Sequence, residues 1–303
     1  MKLNRIILLT IFLLTIVSNL MSQDLVFHKV AEGLMFPEGP AFDGKNTVYV
    51  SNCYGDFITK ITDKQQDVFV KAPTTPANFQ KTNGLTVNND GFIYACEYGF
   101  GQILKFSPEG ECTIVADGYE GEKFNRPNDL AFDKSGNLYF TDPSSYGADK
   151  PDGRLFRIVK ETGEVELLYS GLCFPNGIAF HPTEKNLFVC ESAKNRILIF
   201  PLIDDGRVGE PSEFIVLPGG DPDGIAFDVE NNLWVAHFGT GTIFVINENS
   251  EIVRELKAPG KKTSNVEFAG KDMKTLYVTE DETNCVYYVE VETAGSVLFN
   301  LRK

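Results

Sequence analysis

One short pattern recurs along the chain: an apolar residue, an aromatic, an apolar or small residue, then a small residue and a polar one. The copies are Val48-Tyr49-Val50-Ser51-Asn52, Ile93-Tyr94-Ala95-Cys96-Glu97, Leu138-Tyr139-Phe140-Thr141-Asp142, Leu187-Phe188-Val189-Cys190-Glu191, Leu233-Trp234-Val235-Ala236-His237 and Leu276-Tyr277-Val278-Thr279-Glu280. Their aromatic positions lie 45, 45, 49, 46 and 43 residues apart. Each copy follows a turn such as Asp133-Lys134-Ser135-Gly136-Asn137 and precedes a further β-branched or aromatic strand, such as Leu155 to Ile158. No stretch sustains a helical period, so α/β alternatives lose support. Several short strands repeated at this period predict an all-β, six-bladed β-propeller with four-stranded antiparallel blades. The segment Leu25 to Val30 is expected to close the ring against the last blade, with Val297 to Leu301 as its competitor.

The chain start changes the domain picture. Met1-Lys2-Leu3-Asn4-Arg5, the apolar run Ile6 to Val17 and the small and polar residues up to Gln23 have the order of a secretory signal peptide. The run is too short for a membrane span, which needs roughly 20 apolar residues. Residues 1–22 are therefore expected to be cleaved, leaving 23–303 as one propeller, extracytoplasmic (periplasmic or secreted) and without membrane attachment. The net charge of −14, with no basic stripe, argues against nucleic acid as a partner. A monomer or weak oligomer is expected. Six cysteines without CxxC spacing read as buried small hydrophobes; export permits a disulfide, but no pair is indicated.

A second repeat carries candidate chemistry. The motifs Phe36-Pro37-Glu38-Gly39-Pro40, Thr82-Asn83-Gly84-Leu85, Arg126-Pro127-Asn128-Asp129-Leu130, Phe174-Pro175-Asn176-Gly177-Ile178, Asp221-Pro222-Asp223-Gly224-Ile225 and Ser264-Asn265-Val266 open the innermost strands. Their equivalent residues, Glu38, Asn83, Asn128, Asn176, Asp223 and Asn265, would converge at one mouth of the channel. Any single Asn-Gly or Asp-Gly pair reads as an ordinary turn. Six together form a ring of carboxylate and carboxamide oxygens, which suits one hard divalent cation: calcium first, with zinc, manganese or magnesium open. Asn83 and Asn265 are the weaker members and could bond only backbone. A further polar set, Asn52, Glu97, Asp142, Glu191, His237 and Glu280, reads either as a pocket wall or as solvated loop, with Asp142 favoured for a role. Arg126 reads as a substrate-holding donor or as a surface ion pair. No serine has a nucleophile-elbow context.

With these motifs in this order and spacing, the chain resembles the gluconolactonase, regucalcin and luciferin-regenerating-enzyme family over nearly its whole mature length. The resemblance implies a propeller that holds one catalytic divalent metal and hydrolyses lactones, often sugar lactones such as gluconolactone. Motif matching carries the family's metal ligands onto Glu38, Asn176 and Asp223, and its proposed acid/base onto Asp223. Its substrate contacts fall on Arg126 and Asn128, and Asn128 also approaches the metal. The acidic substrate contact of the animal members has no counterpart in Thr141 to Asp149. A carboxylate that is both ligand and base is electrostatically awkward, so Asp142 or His237 acting through a water is the alternative. On the same scaffold, ester or organophosphate hydrolysis and a non-catalytic, metal-stabilised binding propeller are the rival readings.

Overall fold

A computed structural model describes residues 25–302. The predicted signal segment lies outside the described residues. Among these residues twenty-four strands form six antiparallel four-stranded sheets, each a blade. In blade 1, for example, Pro37–Phe42 is innermost, followed outward by Thr47–Asn52, Phe57–Thr62 and Gln65–Lys71. The innermost strands of blades 2 to 6 are Thr82–Val87, Leu130–Phe132, Pro175–Phe180, Asp221–Phe227 and Thr263–Ala269, and each contacts the next around a closed circle.

The repeated apolar-aromatic pattern marks the second strand of each blade, and the packing explains its composition. Leu138–Asp142 is buried at every position, because one face of its blade packs on the preceding blade and the other on the following one. Such two-sided burial selects near-continuous apolar runs over alternation. The core is accordingly divided into layers between blades. One layer joins Cys96 and Ile103 of blade 2 to Phe140 and Phe156 of blade 3; another joins Trp234 and Ile243 of blade 5 to Phe268 and Leu276 of blade 6. Each such large side chain contributes about 1.5–3 kcal/mol by leaving water. The outermost strands are half exposed, as in Cys112–Ala116, and so show weaker sequence patterns.

His28–Ala31 pairs with Cys285–Glu290, placing His28 opposite Tyr288 and completing blade 6. The amino-terminal segment therefore closes the ring. The competing carboxy-terminal segment instead runs beneath the channel, where Phe299–Leu301 is a 3-10 turn, Asn300 donates to the Val87 carbonyl and Phe299 packs on Phe180. All six cysteines are buried and unpaired. Among the described residues no helix is long and apolar enough to cross a membrane.

Candidate active site at the channel mouth

The oxygen ring is built by bulges. In blades 1, 2, 4 and 5 the register between innermost and second strands slips beside the predicted ring residue, between Glu38 and Ala41, Thr82 and Leu85, Pro175 and Ile178, and Pro222 and Ile225. An extra residue at such a point re-aims the neighbouring side chain, here into the channel. In blade 3 the ladder starts later, but Asn128 is held by its N–H donating to the Thr141 carbonyl at 2.9 Å. The Asn-Gly and Asp-Gly pairs are thus not turns. Their glycines sit where neighbouring strands nearly touch: a Cβ on Gly177 would overlap the Asp223 backbone, and one on Gly224 the Asn265 carboxamide. Gly177→Ala should therefore destabilise by about 1–3 kcal/mol, the usual cost of overpacking, read as a fall in Tm with unchanged strand content. An unaltered Tm would contradict this close approach.

Glu38, Asn83, Asn128, Asn176 and Asp223 together line a cavity of about 260 Å³. Asn265 does not line that cavity, although its side chain reaches the Glu38 carboxyl from the other side. It lines a separate, smaller chamber of about 70 Å³ below, closed by the carboxy-terminal segment, and its side-chain oxygen accepts the Val266 N–H at 2.8 Å. The difference follows from register: in blade 6 the slip lies between Thr263 and Asn265, so Asn265 is already back in the ladder opposite Thr279. Arg126 lines the upper cavity and makes no ion pair among the described residues, contrary to the surface-pair reading.

Electrostatically the floor lacks a positive charge. Glu38 and Asp223 are 4% and 7% exposed. Burial, and then the Asp129 charge, push the Glu38 carboxyl up to about 8. Burial, then Glu38 and Asp281, hold Asp223 well above the usual carboxylate range. Asp281, which sequence reasoning missed, is pushed up to about 10 by burial and then by Glu38, and neither of its buried carboxylate oxygens has a hydrogen-bond partner. Three buried acids that have no paired ammonium or guanidinium among the described residues, beside three carboxamides, fit a hard divalent cation. Among the described residues no three His, Cys, Asp or Glu side chains form a metal cluster by themselves, so carboxamides must supply part of any coordination. The Cys53 thiol on the cavity wall is pushed well up by burial and then by Glu38.

The second polar set is neither pocket wall nor solvated loop. Its members are buried clamps, five of which accept backbone N–H groups from the segment entering the innermost strand of their own blade. Asn52 accepts from Met35 at 2.9 Å, Glu97 from Lys81 at 3.1 Å, Glu191 from Cys173 at 2.8 Å and Glu280 from Lys262 at 2.7 Å. Asp142 accepts from Arg126 at 2.8 Å and Asn125 at 3.1 Å, and pairs with Arg154 at 2.7 Å. That uses its bonding capacity and makes it a positioning residue for the Arg126 backbone. Asp142→Ala should cost about 3–5 kcal/mol, because it strands the Arg154 charge and two N–H groups; a Tm within a degree of wild type would refute the clamp. His237 is the exception. Its Nδ1 bonds Thr240 Oγ1 at 2.8 Å, its Nε2 is buried without a partner, and burial, followed by the Lys257 charge, pushes its pKa down to about 4.

The wall comes from the next residue along. Cys53, Tyr98, Pro143, Ser192 and Phe238, each one position past a member of this set, all line the cavity, and Asp281 is the sixth equivalent. Successive residues of a strand face opposite sides, so the shift of one position was available in the repeat itself.

The profile of the SMP-30/gluconolactonase/LRE-like region matches residues 36–281. The chain belongs to this family. Among its relatives, a gluconolactonase of Zymomonas mobilis is 30% identical over 296 residues, covering 88% of this chain and 81% of that protein. Lactonase drp35 of Staphylococcus haemolyticus is 26% identical, covering 87% and 86%. The same fold occurs in a solved structure described as the calcium-binding protein regucalcin of Agrobacterium tumefaciens, with TM-score 0.78, 21% identity, and coverage of 90% and 96%.

Proposed function

We propose that this member of the SMP-30/gluconolactonase/LRE-like family hydrolyses a lactone with the help of one divalent cation held by Glu38, Asn128, Asn176 and Asp223. The observation that carries the reading is the group of buried, cation-less carboxylates at the floor of a cavity that Arg126 also lines. The names of the gluconolactonase and lactonase relatives support the reaction class and make gluconolactone the first sugar lactone to test. Calcium comes first on the all-oxygen donor set, ahead of zinc, manganese and magnesium.

A bound divalent cation would polarise the lactone carbonyl and stabilise the oxyanion that develops as water attacks. Arg126 is a permanently charged planar donor at the cavity, suited to the ester oxygens of the substrate and the carboxylate of the product. Asp223 accepts a proton from the attacking water and returns it to the departing alkoxide oxygen, so that water adds across the acyl C–O bond and a hydroxy acid leaves. Asp142 is committed to Arg154 and the loop backbone, and His237 does not line the cavity. Ser192 does line it, but its hydroxyl donates to the Pro222 carbonyl at 2.7 Å. Water is thus the nucleophile the site favours.

The test uses metal-stripped protein, titrated with calcium, zinc, manganese and magnesium and assayed on a panel of γ- and δ-lactones. Metal-dependent ring opening is expected. Metal binding without turnover of any lactone would defeat the reading in favour of a binding propeller.

A further inference from the structure

We propose that the preferred substrate is a lactone bearing an aromatic or similarly flat apolar substituent, gripped between Phe36 and Phe174 above the oxygen ring. The inference rests on the lactonase reading and specifies its substrate class.

The six-bladed ring sets blade 1 opposite blade 4, and Phe36 and Phe174 enter the innermost strands of those two blades. Both line the cavity, and both have positive φ, +59° and +57°. Bulky residues rarely adopt this backbone, and strain of this kind persists where surrounding structure enforces it, often at ligand-binding sites. Here the enforcement is visible. The Phe36 carbonyl accepts the Cys53 N–H at 2.9 Å, and the Phe174 carbonyl accepts the Ser192 N–H at 3.1 Å, so residues at equivalent wall positions fix both turns.

Each phenylalanine anchors an aromatic wall. The Phe36 ring lies 4.4 Å from Tyr54 and 6.2 Å from Phe238; the Phe174 ring meets Tyr146 edge-on at 5.2 Å. Tyr98 adds a further ring to the lining. Such faces attract flat apolar groups.

Some of the polar groups near these rings are already engaged. The Tyr146 hydroxyl already donates to Asp221 at 2.9 Å, and the Ser192 hydroxyl to Pro222. Glu38, Asn128, Asn176 and Asp223 form the candidate cation site, and other polar groups of the lining, Arg126, Asn83, Asp221 and the Tyr54 and Tyr98 hydroxyls, sit among the aromatic rings. A polyhydroxylated lactone placed here would set part of its hydroxyl rim against these aromatic faces, and binding sites discriminate strongly on unpaired polar groups.

The experiment compares kcat/KM of the metal-loaded enzyme for γ-phenyl-γ-butyrolactone, unsubstituted γ-butyrolactone and glucono-δ-lactone. The phenyl substrate should exceed the unsubstituted one at least tenfold, with the gluconolactone below both. Phe36→Gly and Phe174→Gly, which tolerate positive φ, should collapse the phenyl preference severalfold or more while Tm holds or rises; Phe174→Leu and Phe238→Leu read the same ratio should a glycine variant fail to fold. Fastest turnover on glucono-δ-lactone, with a phenyl ratio untouched by these variants, would overturn the proposal and leave the lactonase reading standing. No turnover of any lactone with any of the four metals would remove that reading and the proposal with it.

Discussion

Asp223→Asn and Glu38→Gln are each expected to reduce lactone turnover by about 10³-fold or more while the propeller remains folded. Both substitutions preserve shape and one oxygen but delete a charge from a floor that has no protein cation to balance it. Removal of a single preorganised group that stabilises a developing oxyanion costs roughly 10²–10³ in rate, and loss of a ligand charge adds weaker cation binding. The same variants should melt higher than wild type in chelator, because an uncompensated buried carboxylate opposes folding. Activity falls and metal-free stability rises, a pairing that a purely structural role would not produce. Turnover measured beside chelated thermal melts checks it, and wild-type turnover in either variant would sink the assignment.

Metal-free protein should lose stability as pH rises from about 5 to 8. Glu38 has an ordinary value near 4.5 and is pushed up to about 8 in the fold. Between those values the unfolded chain has released a proton that the native state keeps, so stability declines across the window. Asp281 and Asp223 shift in the same direction. Saturating calcium should reverse the trend, adding about 2.7 kcal/mol at a hundredfold excess over Kd, with the larger gain at pH 8, where the carboxylates ionise readily for the ion. Melts from pH 5 to 9, with chelator and with calcium, read both effects. A flat chelated profile would contradict the uncompensated acids, and Asp281→Asn should remove part of the slope.

Much of this was legible in the sequence for identifiable physical reasons. Second strands buried on both faces must be apolar, so their repetition announced six blades; the inner strands repeat because every blade meets the same axis, and that marked Glu38, Asn128, Asn176 and Asp223. The resemblance to the family rested on the same motifs and agreed. What stayed hidden depends on single-residue register and on side-chain contacts. Asn265 carries the motif but returns to the ladder one step early and faces the lower chamber. Asp142 looked like chemistry and is a clamp, because its partners, the Asn125 and Arg126 backbone, are distant in sequence. Tyr54 and Tyr146 come from loops between strands, where no periodicity points to the cavity.

Closing the ring with His28–Ala31 also orders events in time. The partner of this first strand, Cys285–Glu290, is among the last parts of the chain to be made, and loop closure over so long a separation is slow. Until then one edge of the last blade stays unpaired and available to a neighbouring molecule. A chain truncated before Cys285 would never seal its seam, and its expected fate is association with other chains through that seam rather than a smaller, five-bladed ring.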